Sequence, residues 1–343
     1  MRNAAVTLVL LLNCLSAVYS QDTPDNPVRV LFYNVENLFD TYNDTAKNDE
    51  EFLPSGTRRW NRTRYDRKIN SLYKTILAAG NWSPPAIVGL CEVENRKVLE
   101  DLAYATYLSK YDYSIIHEDS PDERGIDVCL IYREDLVSVI GHKYLIPSSV
   151  KGGGFRTRSV LYTKFLVMGD TLHLMVNHWP SRRGGVLAGE SLRCEIAAMI
   201  RHVTDSIGII SCGKARILIM GDFNCTPEDN IMQNLVNHSS DDSQEKSIFL
   251  INLAGRSANP VQGTYKFNGT WEIIDQMVAS RYLLECCKGT AADSLGFKIF
   301  SPDFLLCNDE KHTGSAPFST YRGYRYQGGV SDHLPIFLDL VLR

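Results

Sequence analysis

Apolar residues recur along this chain in short runs, rarely longer than about nine positions, separated by turn residues. Runs at 28–34, 86–93, 113–117, 126–132, 136–146, 159–168, 171–178, 216–221, 271–279, 297–301 and 334–341 read as β-strands, several of them rich in β-branched and aromatic side chains. Met168-Gly169-Asp170-Thr171 turns one of these runs back on the next as a hairpin. Helical spacing appears in three places. Over 62–79, Tyr65, Ile69, Leu72, Tyr73, Ile76 and Leu77 share a face behind Asn61 as the cap. Over 190–206, Leu192, Ile196, Met199, Ile200 and Val203 do the same, and 96–109 makes a shorter third helix with Val98, Leu102 and Tyr104–Ala105 inward. Flexible stretches are expected at 40–60, 148–158, 181–189 and 308–330. Many strands with few helices predict two sheets packed face to face with helices outside, an α+β arrangement in one domain over 21–343.

Against this pattern, polar side chains stand at or just past the ends of the runs. They are Asn34 after VRVLFY, Glu92 after AIVGLC, His178 after TLHLMVN, Asp222 and Asn224 in GDFN after RILIM, Asp275 in WEIIDQMV, and Asp332-His333 ahead of LPIFLDLVL. A single acid at a strand end is ordinary turn chemistry. Groups delivered by separate strands can instead converge on one rim of a layered sheet, where sites are commonly built.

That residue set suits hydrolysis of a phosphate ester. A hard cation such as Mg²⁺, with Mn²⁺ as substitute, needs only one or two carboxylates and some neutral oxygen donors; Asn34, Glu92 and Asp332 supply them. Asp222 can orient or deprotonate an attacking water, and Asn224 can fix it by hydrogen bonding. His333 can donate to the phosphate as its charge grows, held protonated by Asp275, whose burial within an apolar run demands a partner. His178 is a second imidazole for the phosphate or leaving group. Arg182 and Arg183 follow it and fit a phosphate clamp. His117 and His173 read as structural, and Asp127 as either a turn cap or a site residue.

Composition narrows the picture. Residues 1–20 resemble a secretory signal, with Arg2, an apolar stretch from Ala4 to Leu12, and Val18-Tyr19-Ser20 before the cut. Export with cleavage near Ser20 is therefore expected, in preference to lipid anchoring at Cys14, which Asn13 precedes in place of a small residue. No later run approaches ~18 uninterrupted apolar residues, so no transmembrane segment is expected. Removing 1–20 takes away one arginine and no acid, and the net charge of −4 becomes −5. Such a balance disfavours avid backbone binding to nucleic acid. Arg58, Arg59, Arg62, Arg64, Arg67 and Lys68 form a local basic patch that reads as a solvated helix face. The tyrosines and arginines of 321–326 are as consistent with a plain loop as with a substrate loop, and no aromatic-plus-basic stripe is evident. The cysteines lack zinc-site spacing. Cys91 and Cys129 read as buried thiols, and one disulfide among Cys286, Cys287 and Cys307 is compatible with an oxidising compartment.

Taken together, FYNVENLFD, GLCEVEN, NHWPSR, GDFN, WEIIDQM and SDHLPI resemble, in order, the endonuclease/exonuclease/phosphatase superfamily of deoxyribonucleases, abasic-site endonucleases, sphingomyelinases and inositol 5-phosphatases. The resemblance spans about residues 28–341. It implies a four-layer α/β/β/α sandwich and Mg²⁺-dependent in-line attack of water on a phosphate ester. Carried over by position, Asn34, Glu92 and Asp332 match the metal region, Asp222 and Asn224 the water-handling pair, Asp275 and His333 the acid–imidazole pair, and His178 the strand-end histidine of the deoxyribonuclease and sphingomyelinase branches. DNA is the leading substrate for a monomeric enzyme. A sphingomyelinase-like or inositol-phosphate activity is the alternative, and an inactive binding module the rival of another class.

Overall fold

The computed structural model describes residues 27–153, 156–182, 189–237, 248–254, 263–287 and 297–341. Ser20, Cys14 and Arg183 lie outside the described residues. In chain order the elements are β1 (Val28–Leu38), α1 (Arg62–Ala79), β2 (Ile87–Val93), α2 (Arg96–Tyr104), β3 (Tyr113–Ile116), β4 (Asp127–Arg133), β5 (Val137–Leu145), α3 (Ser148–Lys151) and β6 (Val160–Val167). There follow β7 (Asp170–His178), α4 (Glu190–Ser211), β8 (Arg216–Asp222), α5 (Asn230–Val236), β9 (Leu250–Asn252), β10 (Tyr265–Phe267), β11 (Thr270–Glu272), β12 (Asp275–Ser280) and α6 (Arg281–Cys286). The chain closes with β13 (Lys298–Ile299), β14 (Leu306–Asn308), β15 (Ser315–Pro317), β16 (Tyr321–Arg322), β17 (Arg325–Tyr326) and β18 (Ile336–Leu340).

The local signals act as expected. Asn61 caps α1 by accepting from the Arg64 amide, and Met168 and Gly169, both at positive φ, form the two-residue turn between β6 and β7. Elsewhere tertiary pairing overrides pattern. The run 271–279 splits, because β11 pairs with β10 while β12 joins β8. The helix expected over 96–109 stops at Tyr104, with a separate 3₁₀ turn at 107–110, and the helix expected over 190–206 runs on to Ser211. Within 308–330, β14–β15 is completed and β16–β17 forms a small hairpin.

Two six-stranded sheets result, ordered β13-β18-β1-β2-β4-β3 and β5-β6-β7-β8-β12-β9. Side-chain alternation builds the layers. From β1, Val30 and Phe32 point to the second sheet and meet Leu174, Val176, Leu218 and Met220. Leu31 and Tyr33 point outward to Ile69, Leu72 and Ile76 of α1. On the far side, Met175, Ile217 and Ile219 meet Leu192, Ile196 and Ile200 of α4. The order helix, sheet, sheet, helix is the sandwich anticipated above. The thiols of Cys286, Cys287 and Cys307 are free, as are Cys91, Cys129, Cys194, Cys212 and Cys225, so the disulfide compatible with an oxidising compartment is not formed among them. Among the described residues no helix is long and apolar enough to cross a membrane.

Each large sheet contains one parallel pair, β1–β2 in the first and β7–β8 in the second. A parallel pair needs a crossover, and α1 and α4 provide them. The crossovers send both strands of each pair toward the same rim. Asn34 and Glu92 stand near the C-terminal ends of β1 and β2, and His178 and Asp222 at those of β7 and β8.

Candidate active site

Backbone irregularity aims several of these side chains. The β1–β2 register shifts between Asn34 and Leu38, and the β2–β4 register between Cys91 and Val93. Glu36, Asn37 and Glu92 in these bulges take left-handed φ angles of 50°, 53° and 62°, and Asn224 joins them at 50°. Non-glycine residues held in this region carry strain that clusters at functional sites.

Asp222 is the hub. It is the register partner of both His178 on β7 and Asp275 on β12. Its Oδ1 accepts from the Asn224 amide at 2.9 Å, and its Oδ2 accepts from Asn34 Nδ2 at 3.0 Å. That same Oδ2 lies 3.7 Å from His178 Nε2 and 3.9 Å from His333 Nε2. These spacings are too long for direct hydrogen bonds; in unliganded sites such contacts commonly tighten only around the reacting group. Burial, reinforced by the charge of Asp275, lifts Asp222 to about 7 against the opposing pull of His333.

Asp275 and His333 form a tight pair, with Nδ1 to Oδ2 at 2.7 Å. Burial works against the imidazolium, but Asp275 by charge and hydrogen bond, with Asp222 and Asp332, holds its pKa well above the ordinary histidine value. Two carboxylates facing each other across adjacent strands repel unless a cation sits with them; His333 is that cation. The Thr264 hydroxyl accepts from the Asp275 amide at 3.1 Å, and the Tyr265 ring packs 4.9 Å from that of His333. His178 is the opposite case. Burial, then Arg158, Arg124 and His333, push it well below its ordinary value, so it is neutral.

Glu92 and Asp332 are the more open acids, with 14% and 43% of their side chains exposed. One Glu92 oxygen accepts from the Asn37 amide at 2.8 Å, and the other faces His178 Nε2 at 3.8 Å. Asn34 Oδ1 accepts from the Glu36 amide at 3.0 Å. Two hard, partly solvated carboxylates beside a neutral amide oxygen fit a cation that keeps much of its water. Asp222, Asp275 and His333 also bring ligand atoms within 4.8 Å of one another. There the short His333–Asp275 hydrogen bond already occupies two of the three donors.

Beneath Asp332 lies a pair the pattern had not singled out. Glu36 is buried, and its carboxylate accepts from the Thr320 and Tyr321 amides at 2.6 and 3.0 Å. Lys68 Nζ donates to the Glu36 carbonyl and to the Thr320 hydroxyl. Burial lifts Glu36 to about 8 and lowers Lys68 to about 8. The signal for Glu36 was present in FYNVENLFD, two residues past Asn34. The signal for Lys68 was hidden, because it reads as one more basic residue on a helix. Arg158, salt-bridged to buried Asp122 at 3.0 Å and donating to the Trp179 carbonyl, was likewise missed.

Asn224 donates its side-chain amide to that same carbonyl at 3.0 Å and supports Asp222 through its backbone. Arg182 is ion-paired with Glu272 of β11, so its guanidinium is already engaged rather than open to a phosphate. Asp127, His117 and His173 serve structure: Asp127 accepts from the Ser120 amide and pairs with His117, and His173 meets the Tyr162 hydroxyl.

An acid–imidazole pair thus faces a second acid at the joint rim of the two packed sheets. The chain belongs to the Endonuclease/Exonuclease/phosphatase family, whose profile it matches over residues 29–341. Several solved structures share the fold. The human Nocturnin catalytic domain is 15% identical, with a TM-score of 0.54 over 94% of this chain and 96% of that one. An endonuclease/exonuclease/phosphatase protein from Bacteroides vulgatus is 16% identical, with a TM-score of 0.56 over 93% and 100%. A mannosyl-6-phosphatase from Bacteroides thetaiotaomicron is 17% identical, with a TM-score of 0.55 over 91% and 99%. At these identities the likeness is one of fold. No curated protein matches the sequence.

Proposed function

We propose that this chain is an exported, divalent-metal-dependent phosphoesterase, with DNA its leading substrate. The observation that carries the reading is the buried His333–Asp275 pair facing Asp222 across 3.9 Å, with Asn34 bonded to Asp222. Asp222, with its pKa lifted to about 7, is matched to taking a proton from water near neutral pH. Asn34 and the Asn224 amide hold both its oxygens in place. His333, kept protonated by Asp275, donates from Nε2 to the phosphoryl oxygen as negative charge builds. Neutral His178 offers a hydrogen bond without a second full charge. Glu92 and Asp332, with Asn34 beside them, would hold the cation, which when bound polarises the phosphoryl group. Export rests on the signal-like pattern of residues 1–20.

A panel of supercoiled plasmid, abasic duplex, sphingomyelin and inositol polyphosphates, run with Mg²⁺, Mn²⁺ and EDTA, tests the reading. Plasmid cleavage that EDTA stops, and that His333→Ala or Asp222→Ala lowers by roughly 10²–10³, is expected. Intact DNA with a released lipid headgroup or inositol phosphate transfers the function to the alternative substrates. No hydrolysis and no metal binding by calorimetry leaves a binding module. Detection of a mature N-terminus at Gln21 in the medium or periplasm checks export; retention of residues 1–20 refutes it.

A further inference from the structure

Two segments remote in the sequence, 58–67 and 321–328, meet on one face. Arg58 lies 5.1 Å over the ring of Tyr321 and 5.5 Å over that of Tyr324, and donates to the Gly323 carbonyl at 3.0 Å. Arg64 lies 4.3 Å over Tyr326. Arg67 reaches the same hairpin, since a Cβ added to Gly328 would sit 3.2 Å from its Nη1. Arg58, Arg62 and Arg322 are paired with Glu51, Asp66 and Glu310. Arg59, Arg64, Arg67 and Arg325 meet no carboxylate among the described residues, and Arg59, Arg67 and Arg325 are exposed. Tyr324, at the tip of the hairpin, is 64% exposed. The root of the hairpin is tied to the site through the Glu36 and Lys68 contacts to Thr320 and Tyr321. From Tyr324 to Asp332 the chain can span at most ~29 Å.

We infer that this face holds a single strand of nucleic acid leading into the site. The guanidinium groups of Arg59 and Arg67 meet its phosphates, and the ring of Tyr324 stacks on a base. Cations along a backbone path with an exposed aromatic ring are what an unpaired strand requires, whereas bases inside a duplex offer no free face for stacking. Cation–π contact with Arg58 orients Tyr324 before the base arrives. In a chain of net negative charge, this unpaired cluster concentrates positive potential beside the rim. The inference deepens the phosphoesterase reading, on which it relies only to place the scissile phosphate at His333.

The test is fluorescence anisotropy of labelled oligothymidylate with the full-length His333→Ala protein in EDTA, so that no cleavage intervenes. Adding Tyr324→Ala should weaken binding roughly tenfold. Adding Arg59→Gln with Arg67→Gln should weaken it further and reduce the steepness of the salt dependence by about 1.4 in log–log slope. The side chains of Tyr324, Arg59 and Arg67 are exposed, the buried His333→Ala change is common to every protein compared, and circular dichroism confirms folding. Unchanged affinity in these variants, equal affinity for a duplex, or heparin binding with Tyr324→Ala silent would each overturn the inference. Hydrolysis of bis(p-nitrophenyl) phosphate by the unsubstituted protein reports the reaction separately. A protein that cleaves that ester but does not bind oligothymidylate keeps the proposed function and loses this surface. A protein that binds through the patch but cleaves no phosphate ester does the reverse.

Discussion

Gly221 is where backbone packing and chemistry are most directly coupled. It precedes Asp222 on β8, beside Asn177 of the parallel strand β7. A Cβ on Gly221 would lie 2.3 Å from the Asn177 carbonyl oxygen and 2.6 Å from the Asn177 Cβ. Ordinary contact begins near ~3.5 Å, so the two strands must part by about 1 Å. Both obstructing atoms belong to the chain or lie next to it, so a rotamer change cannot relieve them. The next register pair along this ladder is His178 and Asp222, and the movement therefore opens the site itself. Overpacking of this kind costs roughly 1–3 kcal/mol in stability, and misplacing a reacting group by 1 Å costs on the order of 10² in rate. Gly221→Ala should accordingly lower kcat on bis(p-nitrophenyl) phosphate about a hundredfold while lowering the thermal midpoint by a few degrees. Gly141→Ala on β5, where an added Cβ meets nothing within 4 Å, is the control and should leave turnover unchanged. A Gly221→Ala enzyme within threefold of the parent kcat, with the same midpoint, would refute the reasoning.

Further outcomes follow from the electrostatics. Asp275→Asn removes the charge that overcomes the burial of His333, so kcat at neutral pH should fall by roughly 10²–10³ and the remaining activity should peak at more acid pH; combined with His333→Ala it should add almost nothing, and full additivity would show the two residues do not act together. Glu92→Gln should weaken Mg²⁺ binding at least tenfold by calorimetry with the fold retained, and unaltered affinity would remove Glu92 from the cation's donors. His173 is held down to about 4 by burial and by Lys164. Because its folded pKa lies below its unfolded value of about 6.5, its contribution is present above that pH and lost as pH falls toward 4. His173→Gln should therefore lessen the loss of urea resistance between pH 7 and pH 5, and an identical acid loss in both proteins would contradict the assignment.

The strands, the main helices and the polar residues standing at the strand ends were legible because each depends on local pattern. Apolar alternation places β1, β2, β7 and β8, and the polar residue ending each run marks where the chain meets solvent. Arg182 shows the limit of such reading. Next to His178 its charge suggested a phosphate clamp, yet Glu272, ninety positions away, takes it. The split of 271–279 into two strands was equally invisible, since it follows from which partners β11 and β12 find.

The amino-acid order alone determined most of the strands, the main helices and the polar residues at the strand ends, because periodicity and strand-end polarity act over a few residues. Which charges are protonated was decided only by packing. Asp222 and Asp275 became cross-strand neighbours with one imidazole beside them; burial then raised the pKa of Asp222, and the neighbouring acids raised that of His333. The arginines of 58–67 and the tyrosines of 321–326 each read as ordinary surface in isolation. They form a single basic and aromatic face only because Glu36 and Lys68, buried together, bind the loop between them to the floor of the site.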